Sequence, residues 1–319
     1  MNLSKTDRFI SPHFRLQTLA EGVYAAIHKA GGGAVANAGI VDLGDSTLIF
    51  DTFISHLAAK ELRLAAELLT GKPVAYVINS HYHNDHIRGN QEFAEAEIIA
   101  TQGTLDLLHT AGQEELEWDT NQVPARLAEV STQYQAAQDE ATRSRLKFWL
   151  DYYQVIIDSL PELEIRFPDR TFEGHLTLEG TARKVEVISY GAGHTGSDSF
   201  LWLPKEKIAF LADLLFVQCH PYLPDGNPEA WLEALEKIKI LKPKMLVPGH
   251  GPLGRTRDLD LMAAYLNAVS ELARRKTSTG VEISHTDIPE TFQDWDFQLF
   301  YPANLEFMAG WLSKQPQSR

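Results

Sequence analysis

His81, His83 and His86 stand with Asp85 inside six consecutive residues, His81-Tyr82-His83-Asn84-Asp85-His86, directly after the apolar run 74–78. Three imidazoles and a carboxylate at that density are lone-pair donors, and converging lone pairs are what a metal ion requires. On an extended segment His81 and His83 project to the same side. Asp85 and His86 fall where the chain turns, within reach of a second point nearby. A polar loop that happens to be rich in histidine is the plain alternative, and the residues downstream argue against it.

Three later elements carry one candidate each. His194 sits in the small-residue loop Gly191-Ala192-Gly193-His194-Thr195-Gly196, after a strand expected over 185–190. Glycines there let the backbone approach a buried centre closely. Asp213 closes an apolar strand, where an unpartnered carboxylate is costly. His250 occupies the turn Pro248-Gly249-His250-Gly251 after another strand. Alone, each reads as an ordinary loop residue. Together with the first cluster they make seven candidate ligands, five of the twelve histidines and two aspartates, all at expected strand ends.

These side chains need elements that bring them to one place. The pattern predicts strands over 23–27, 38–42 and 47–50, then a helix capped by Ser55. That helix carries Leu57, Leu62, Ala65 and Leu69 and stops at Gly71 and Pro73, ahead of a buried strand over 74–78. Further on, strands are expected over 199–203 and 207–211. A helix opened by Asn227-Pro228-Glu229 follows, with the stripe Trp231, Leu235, Ile238 and Leu241, then a strand over 245–247. The order strand, turn, strand, aspartate, helix, strand, histidine loop thus occurs twice. Asp51 answers to Asp213, and His81 to His250. Two β-rich halves facing each other with helices outside make a four-layer αββα sandwich, an α/β fold.

Between the halves, roughly 113–168 reads as a helical insert with Leu146, Phe148, Trp149, Tyr152, Tyr153, Ile156 and Ile157 at helical spacing. A lid over the site, a homodimer arm and a hairpin packed on the core all fit that stripe. The tail opens with a helix over 259–274 and continues through Trp295, Phe297, Phe300 and Tyr301, which read as surface packing.

Composition narrows the partners. The 319 residues are 44% hydrophobic, enough to bury one large core, and 1–319 is read as a single domain. A net charge of -14 leaves no basic face for nucleic acid, so a small-molecule substrate is expected. Cys219 is the single cysteine, so no intrachain disulfide forms. Residues 1–17 are polar and lack the apolar core of a signal peptide. The most apolar stretch, 208–217, is too short to span a bilayer. A soluble cytoplasmic protein without membrane contact is the expectation.

In type and order, His81-x-His83-x-Asp85-His86 followed by His194, Asp213 and His250 resembles the motif of the metallo-β-lactamase fold superfamily of metallohydrolases. The resemblance covers about 23–253, with the helical insert outside it. It implies the four-layer sandwich and a dinuclear site. His81, His83 and His194 would hold one metal, Asp85, His86 and His250 the second, and Asp213 would bridge both. Two zinc ions are the first expectation, and iron or manganese suits the same donors. Such a centre keeps an excess of about one positive charge and brings the pKa of bound water to about 7. The implied reaction is attack by metal-bound hydroxide on a small ester, thioester, lactone or amide, β-lactams included, with Asp85 also orienting the nucleophile. Asp51 is expected to hydrogen-bond a ligand histidine and fix its tautomer. Ser80, Asn90, Thr195 and Asp198 are expected to shape the loops. His220, Tyr222 and Trp231 are pocket-wall candidates, and Cys219 a buried thiol.

Departures from the family's branches limit the substrate. Asp213 stands where lactamases with a cysteine ligand carry that cysteine. No glutathione-binding basic set is evident in the tail. The nuclease branches' basic arm conflicts with the net charge of -14. A mononuclear iron oxygenase resembling persulfide dioxygenases is the alternative, with a phosphodiesterase behind it.

Overall fold

Strands form where apolar, β-branched runs are separated by Gly, Asp and Asn turns. The computed structural model describes residues 6–279 and 287–315. One sheet holds β1 (Phe14–Ala20), β2 (Val23–His28), β3 (Ala38–Asp42), β4 (Thr47–Phe50), β5 (Val74–Ile78), β6 (Glu97–Thr101) and β7 (Arg170–Phe172), in that order. It is antiparallel up to β4 and parallel beyond. The second sheet holds β8 (His175–Glu179), β9 (Lys184–Gly191), β10 (Asp198–Leu203), β11 (Ile208–Phe216) and β12 (Met245–His250), paired β12-β11-β10-β9-β8. The helices are α1 (His56–Thr70), α2 (Asn84–Ile87), α3 (Gln102–Leu108), α4 (Ala111–Ala136), α5 (Glu140–Ser159), α6 (Pro228–Ile240), α7 (Thr256–Thr279) and α8 (Tyr301–Lys314).

The sheets face each other across a shared core that includes Val41, Leu48, Ile78, Leu201, Phe210 and Val247. On the outer side of the first sheet, α1 buries Ala58, Leu62, Ala66 and Leu69. On the outer side of the second, α6, α7 and α8 bury Trp231, Leu235, Leu266 and Met308. This is the αββα order expected from the repeated pattern. The helix signals also place their ends. Ser55 Oγ accepts the Ala58 N–H at 3.2 Å, a cap worth about 1 kcal/mol, and Gly71 closes α1 at φ 73. Asn227 Oδ1 accepts the Ala230 N–H at 3.1 Å, with Pro228 in the first turn of α6.

The twofold echo is topological. β3 and β4 pair antiparallel, α1 crosses over, and β5 joins β4 in parallel. β10 and β11 pair antiparallel, α6 crosses over, and β12 joins β11 in parallel. One boundary differs from expectation. β11 does not end at Leu211 but runs to Phe216, so Asp213 lies inside a strand. Ala212 has φ 44, and the β11–β12 register shifts on both sides of it. Such a bulge frees one side chain from the ladder and re-aims it, here the Asp213 carboxylate.

The insert is a helical hairpin, α4 and α5. Val123, Tyr153 and Ile156 pack with Ile54 between β4 and α1, so it is anchored on the first sheet's loop edge. α4 buries only Asp119 and Val123. Among the described residues no helix is long and apolar enough to cross a membrane.

Candidate metal centre

β5 delivers the chain through Asn79 and Ser80 to His81, and α2 turns it so that Asp85 and His86 meet a second group. β9 leads to the His194 loop, the bulge in β11 aims Asp213, and β12 ends on His250. The structure thereby brings all seven predicted residues together. His81, His83, His194 and Asp213 form one set of converging donor atoms, and Asp85, His86 and His250 another, each within 4.8 Å. Asp213 faces both sets: Oδ1 lies 3.1 Å from His86 Nε2, and Oδ2 lies 3.2 Å from His194 Nε2 and 3.5 Å from His250 Nε2.

Hydrogen bonds on the outer side decide which nitrogens face inward. His86 Nδ1–H donates to Asp51 Oδ2 at 2.8 Å. The Ser80 hydroxyl also donates to Asp51, at 2.8 Å, and accepts from His81 Nδ1–H at 2.9 Å. His83 Nε2–H donates to Asp225 at 3.0 Å. His81 Nε2, His83 Nδ1 and His86 Nε2 are then bare lone pairs. Yet His83 Nδ1 lies 3.1 Å from His81 Nε2 and 3.0 Å from His194 Nε2. With the His81 and His83 protons committed outside, the first of these is an acceptor-to-acceptor contact, while His194, whose Nδ1 has no partner, can take either tautomer. Both spacings are close to the edge of a tetrahedron around a first-row metal ion with bonds of about 2.0–2.1 Å, roughly 3.3 Å. His86 Nε2 and Asp213 Oδ1 are buried with no hydrogen-bond partner. The donor set therefore fits cations and fits poorly without them.

The second half supports its donors differently. Phe216 stacks on His250 at 5.2 Å and 14°, and Trp231 stands 5.3 Å from the His194 ring. The outer nitrogens, His194 Nδ1 and His250 Nδ1, have no partner. Asp198 accepts from the backbone and the hydroxyl of Thr195, both at 2.9 Å, and so staples the His194 loop. The Asn37 amide donates to the Pro248 and Gly251 carbonyls at 2.9 and 3.0 Å, tying the His250 turn to the first sheet. A side chain at Gly249 would collide with Asp213 Oδ1, so the turn admits only glycine there.

Burial, then the nearby His86, pushes His81 well below the ordinary imidazole range, and burial takes His194 down to about 3. His86 rises despite burial, because Asp213, Asp85 and Asp51 surround it. Asp213 falls well below the carboxylate range despite burial, because His250, His86 and His194 outweigh it. His81 and His194 are thereby held neutral beside an ionised Asp213, and a cation would take the place of the proton that His86 attracts.

Some residues lay outside the sequence reading. Asp225, in a Pro-Asp-Gly turn, bonds His83 and accepts from Tyr82 Oη at 2.9 Å. Arg88 and Asp119 form an ion pair at 2.5 Å, both side chains 3% exposed, that latches the insert to the histidine loop. Asn84 joins it through Tyr152 Oη at 3.1 Å. Tyr222 is placed beside the centre, its ring 6.3 Å from His83. His220 is not a pocket residue. It is fully buried, with Nδ1 3.0 Å from Tyr265 Oη and Nε2 3.1 Å from the Phe292 carbonyl, inside the core under α7. Its proximity in sequence to Asp213 misleads because the strand carries it past the site. Cys219 is buried.

An αββα sandwich with a His/Asp centre at one loop edge defines a class of metal-dependent hydrolases. The chain belongs to the metallo-beta-lactamase superfamily, whose family model matches residues 31–250. A metallo-beta-lactamase type 2 of Bacteroides fragilis is 28% identical over 123 residues, 37% of this chain and 49% of that protein, so the match spans about half the relative's length. Another of the same description from Pseudomonas aeruginosa is 25% identical over 254 residues, 76% of this chain and 80% of that one. The solved metallo-beta-lactamase from Pontibacter korlensis superposes with a TM-score of 0.57 at 20% identity, over 80% of this chain and 99% of its own.

Proposed function

We propose that this chain is a dinuclear metallohydrolase that cleaves a small ester, thioester, lactone or amide. The observation that carries the reading is Asp213, whose two oxygens reach donors of both sets while Oδ1 lacks any other partner. His81, His83 and His194 would hold one ion, Asp85, His86 and His250 the other, and Asp213 would touch both. Zinc suits these donors, as do iron and manganese. Bound there, such ions supply Lewis acidity that acidifies water and polarises a carbonyl or phosphoryl oxygen.

The remaining work falls to side chains. Asp51 holds His86 directly and His81 through Ser80 in the tautomer that turns Nε2 inward. Asp225 does the same for His83, with Nδ1 inward. Asp85 keeps 13% exposure where His86 and His194 keep 0% and 1%, so it is the carboxylate an incoming water meets. Its place suits it to orient that water and take its proton. Relatives bear the name metallo-beta-lactamase, which puts β-lactams among the compounds to test. Metal quantification and a panel of β-lactams, lactones, thioesters and phosphodiesters, each run against His83→Ala, test the reading. Two ions per chain and hydrolysis lost in the variant are expected. A single iron with oxygen uptake on a thiol substrate would overturn it.

A further inference from the structure

The centre opens at His83, Asp85 and His250, whose side chains keep 13%, 13% and 9% exposure. Two of these meet aromatic rings that lie outside both sheets. The Phe297 ring is 5.8 Å from His250, and the Tyr222 ring 6.3 Å from His83. The rings continue into a wall. Phe148 of α5 lies 4.9 Å from Phe297, and Phe300 lies 5.6 Å from Tyr222 and 6.3 Å from Phe148. The helical insert and the segment before α8 therefore meet over the open side.

Phe297 has φ 61, a left-handed conformation that bulky side chains rarely adopt. The structure holds it there. Asp296 N–H donates to the Gln218 carbonyl at 2.8 Å, and its carbonyl accepts from His220 N–H at 2.8 Å. Those bonds pin the segment to the chain leaving β11. Backbone strain kept in place by its surroundings marks a side chain whose direction matters.

The charge beside this wall is negative. Asp225 stays 38% exposed next to His83. The Arg88 guanidinium is paired inside with Asp119.

We propose that Phe297, Phe148 and Tyr222 form the subsite that receives an uncharged aromatic or alkyl group of the substrate. Apolar walls with a few polar groups at one end orient small ligands in this way. The assignment deepens the hydrolase reading and rests on it for the bond that is cut. Compounds carrying an anion on the bound group are then poor ligands, because the rings offer that charge no donor and the Asp225 carboxylate acts on Tyr222.

The test uses the full chain as purified and three small-amide probes, each confirmed intact after the titration: N-benzylacetamide, N-methylacetamide, and N-benzylacetamide with a sulfonate on the ring. Affinities are read by calorimetry. N-benzylacetamide is expected to bind about tenfold or more tighter than either of the others, the scale of one buried ring. Phe297→Gly removes the ring and relieves the backbone, and Phe148→Ala tests the wall from the insert. Both are expected to weaken N-benzylacetamide about tenfold and leave N-methylacetamide unchanged, while Phe297→Leu keeps most of the affinity. Equal binding in both variants, or equal binding of the sulfonated ring, would overturn the subsite. The same variants should lower the preference for 4-nitrophenyl phenylacetate over 4-nitrophenyl acetate. Ring binding as expected with no ester, thioester or lactone cleaved would sink the hydrolase reading and leave the subsite standing.

Discussion

His81, His83 and His86 each give an outer ring N–H to an oxygen, on Ser80, Asp225 and Asp51. His194 and His250, from the other half, have no such acceptor and stand against Trp231 and Phe216 instead. The two halves share a topology, yet they fix their donors by different physics. A hydrogen bond selects one tautomer and raises the basicity of the nitrogen facing inward. A ring face selects an orientation and leaves the tautomer to the bound ion. The difference teaches that the first half arranges charge and the second arranges shape, with Asp213 as the member common to both.

Removing that common member has the largest expected effect. Asp213→Ala should lower turnover about 10³-fold or more, several kcal/mol of lost charge stabilisation, and should reduce metal content below that of any single-histidine variant. Steady-state rates with metal analysis check it. An intact metal content in Asp213→Ala would break the view that the carboxylate serves both sets.

Next comes the polar support. Asp51→Asn disturbs His86 and, through Ser80, His81. Metal affinity should fall by about 10–100-fold, read by chelator competition. Acid should act on a member of each half, because Asp213 and Asp85 raise His250 as well as His86 despite burial. His86 binds a proton more readily than an ordinary imidazole. Metal affinity is therefore expected to fall as pH drops, because proton and metal compete for Nε2.

The shape support should count for less. Phe216→Leu keeps an apolar group against His250 and is expected to weaken metal binding by less than about tenfold. If Phe216→Leu cost as much as Asp51→Asn, the contrast between the halves would collapse.

The smallest effect belongs to His220, a second-half histidine with both ring nitrogens bonded. Burial takes it to about 4, below the ordinary value of 6.5. A folded-state pKa below the unfolded one means stability is lost as pH falls from 6.5 toward 4. His220→Gln should therefore leave metal content unchanged and soften the loss between pH 7 and 5.5 by about 1 kcal/mol. Denaturant titrations at the two pH values measure it, and an unchanged slope would contradict the assignment.

The first half of the centre was legible because its donors are consecutive, and density alone separates them from an ordinary loop. His194, Asp213 and His250 were legible only as a set at strand ends, in the repeated order of elements. The αββα layering followed from that same order. What stayed hidden has physical causes. Asp225 lies in a Pro-Asp-Gly turn with no local sign of its role, and its reach to His83 depends on a fold-level contact across 142 positions. Phe216 lay beyond the expected end of the strand at Leu211, because the bulge at Ala212 that carries the strand on leaves no pattern. Asp119 carries no local signal, because its partner Arg88 lies 31 positions away and meets it only where α4 packs on the histidine loop. His220 attracted attention by its position in the chain, which a strand and its exit loop convert into distance from the site.

Both donor sets come from the strands of the two sheets and the segments that leave them, and none of their residues lies in α4, α5 or the segment from Asp296 to Phe300. The rings over the opening come largely from those two additions. Variation in those rings can therefore reshape what enters while the ligands stay in place, so long as Asp119 and Tyr152, which bond the histidine loop, are kept. For an engineer the chain separates into a reaction platform and two fittings over its opening. Libraries confined to α5 and the approach to α8 are the ones expected to change selectivity while retaining metal.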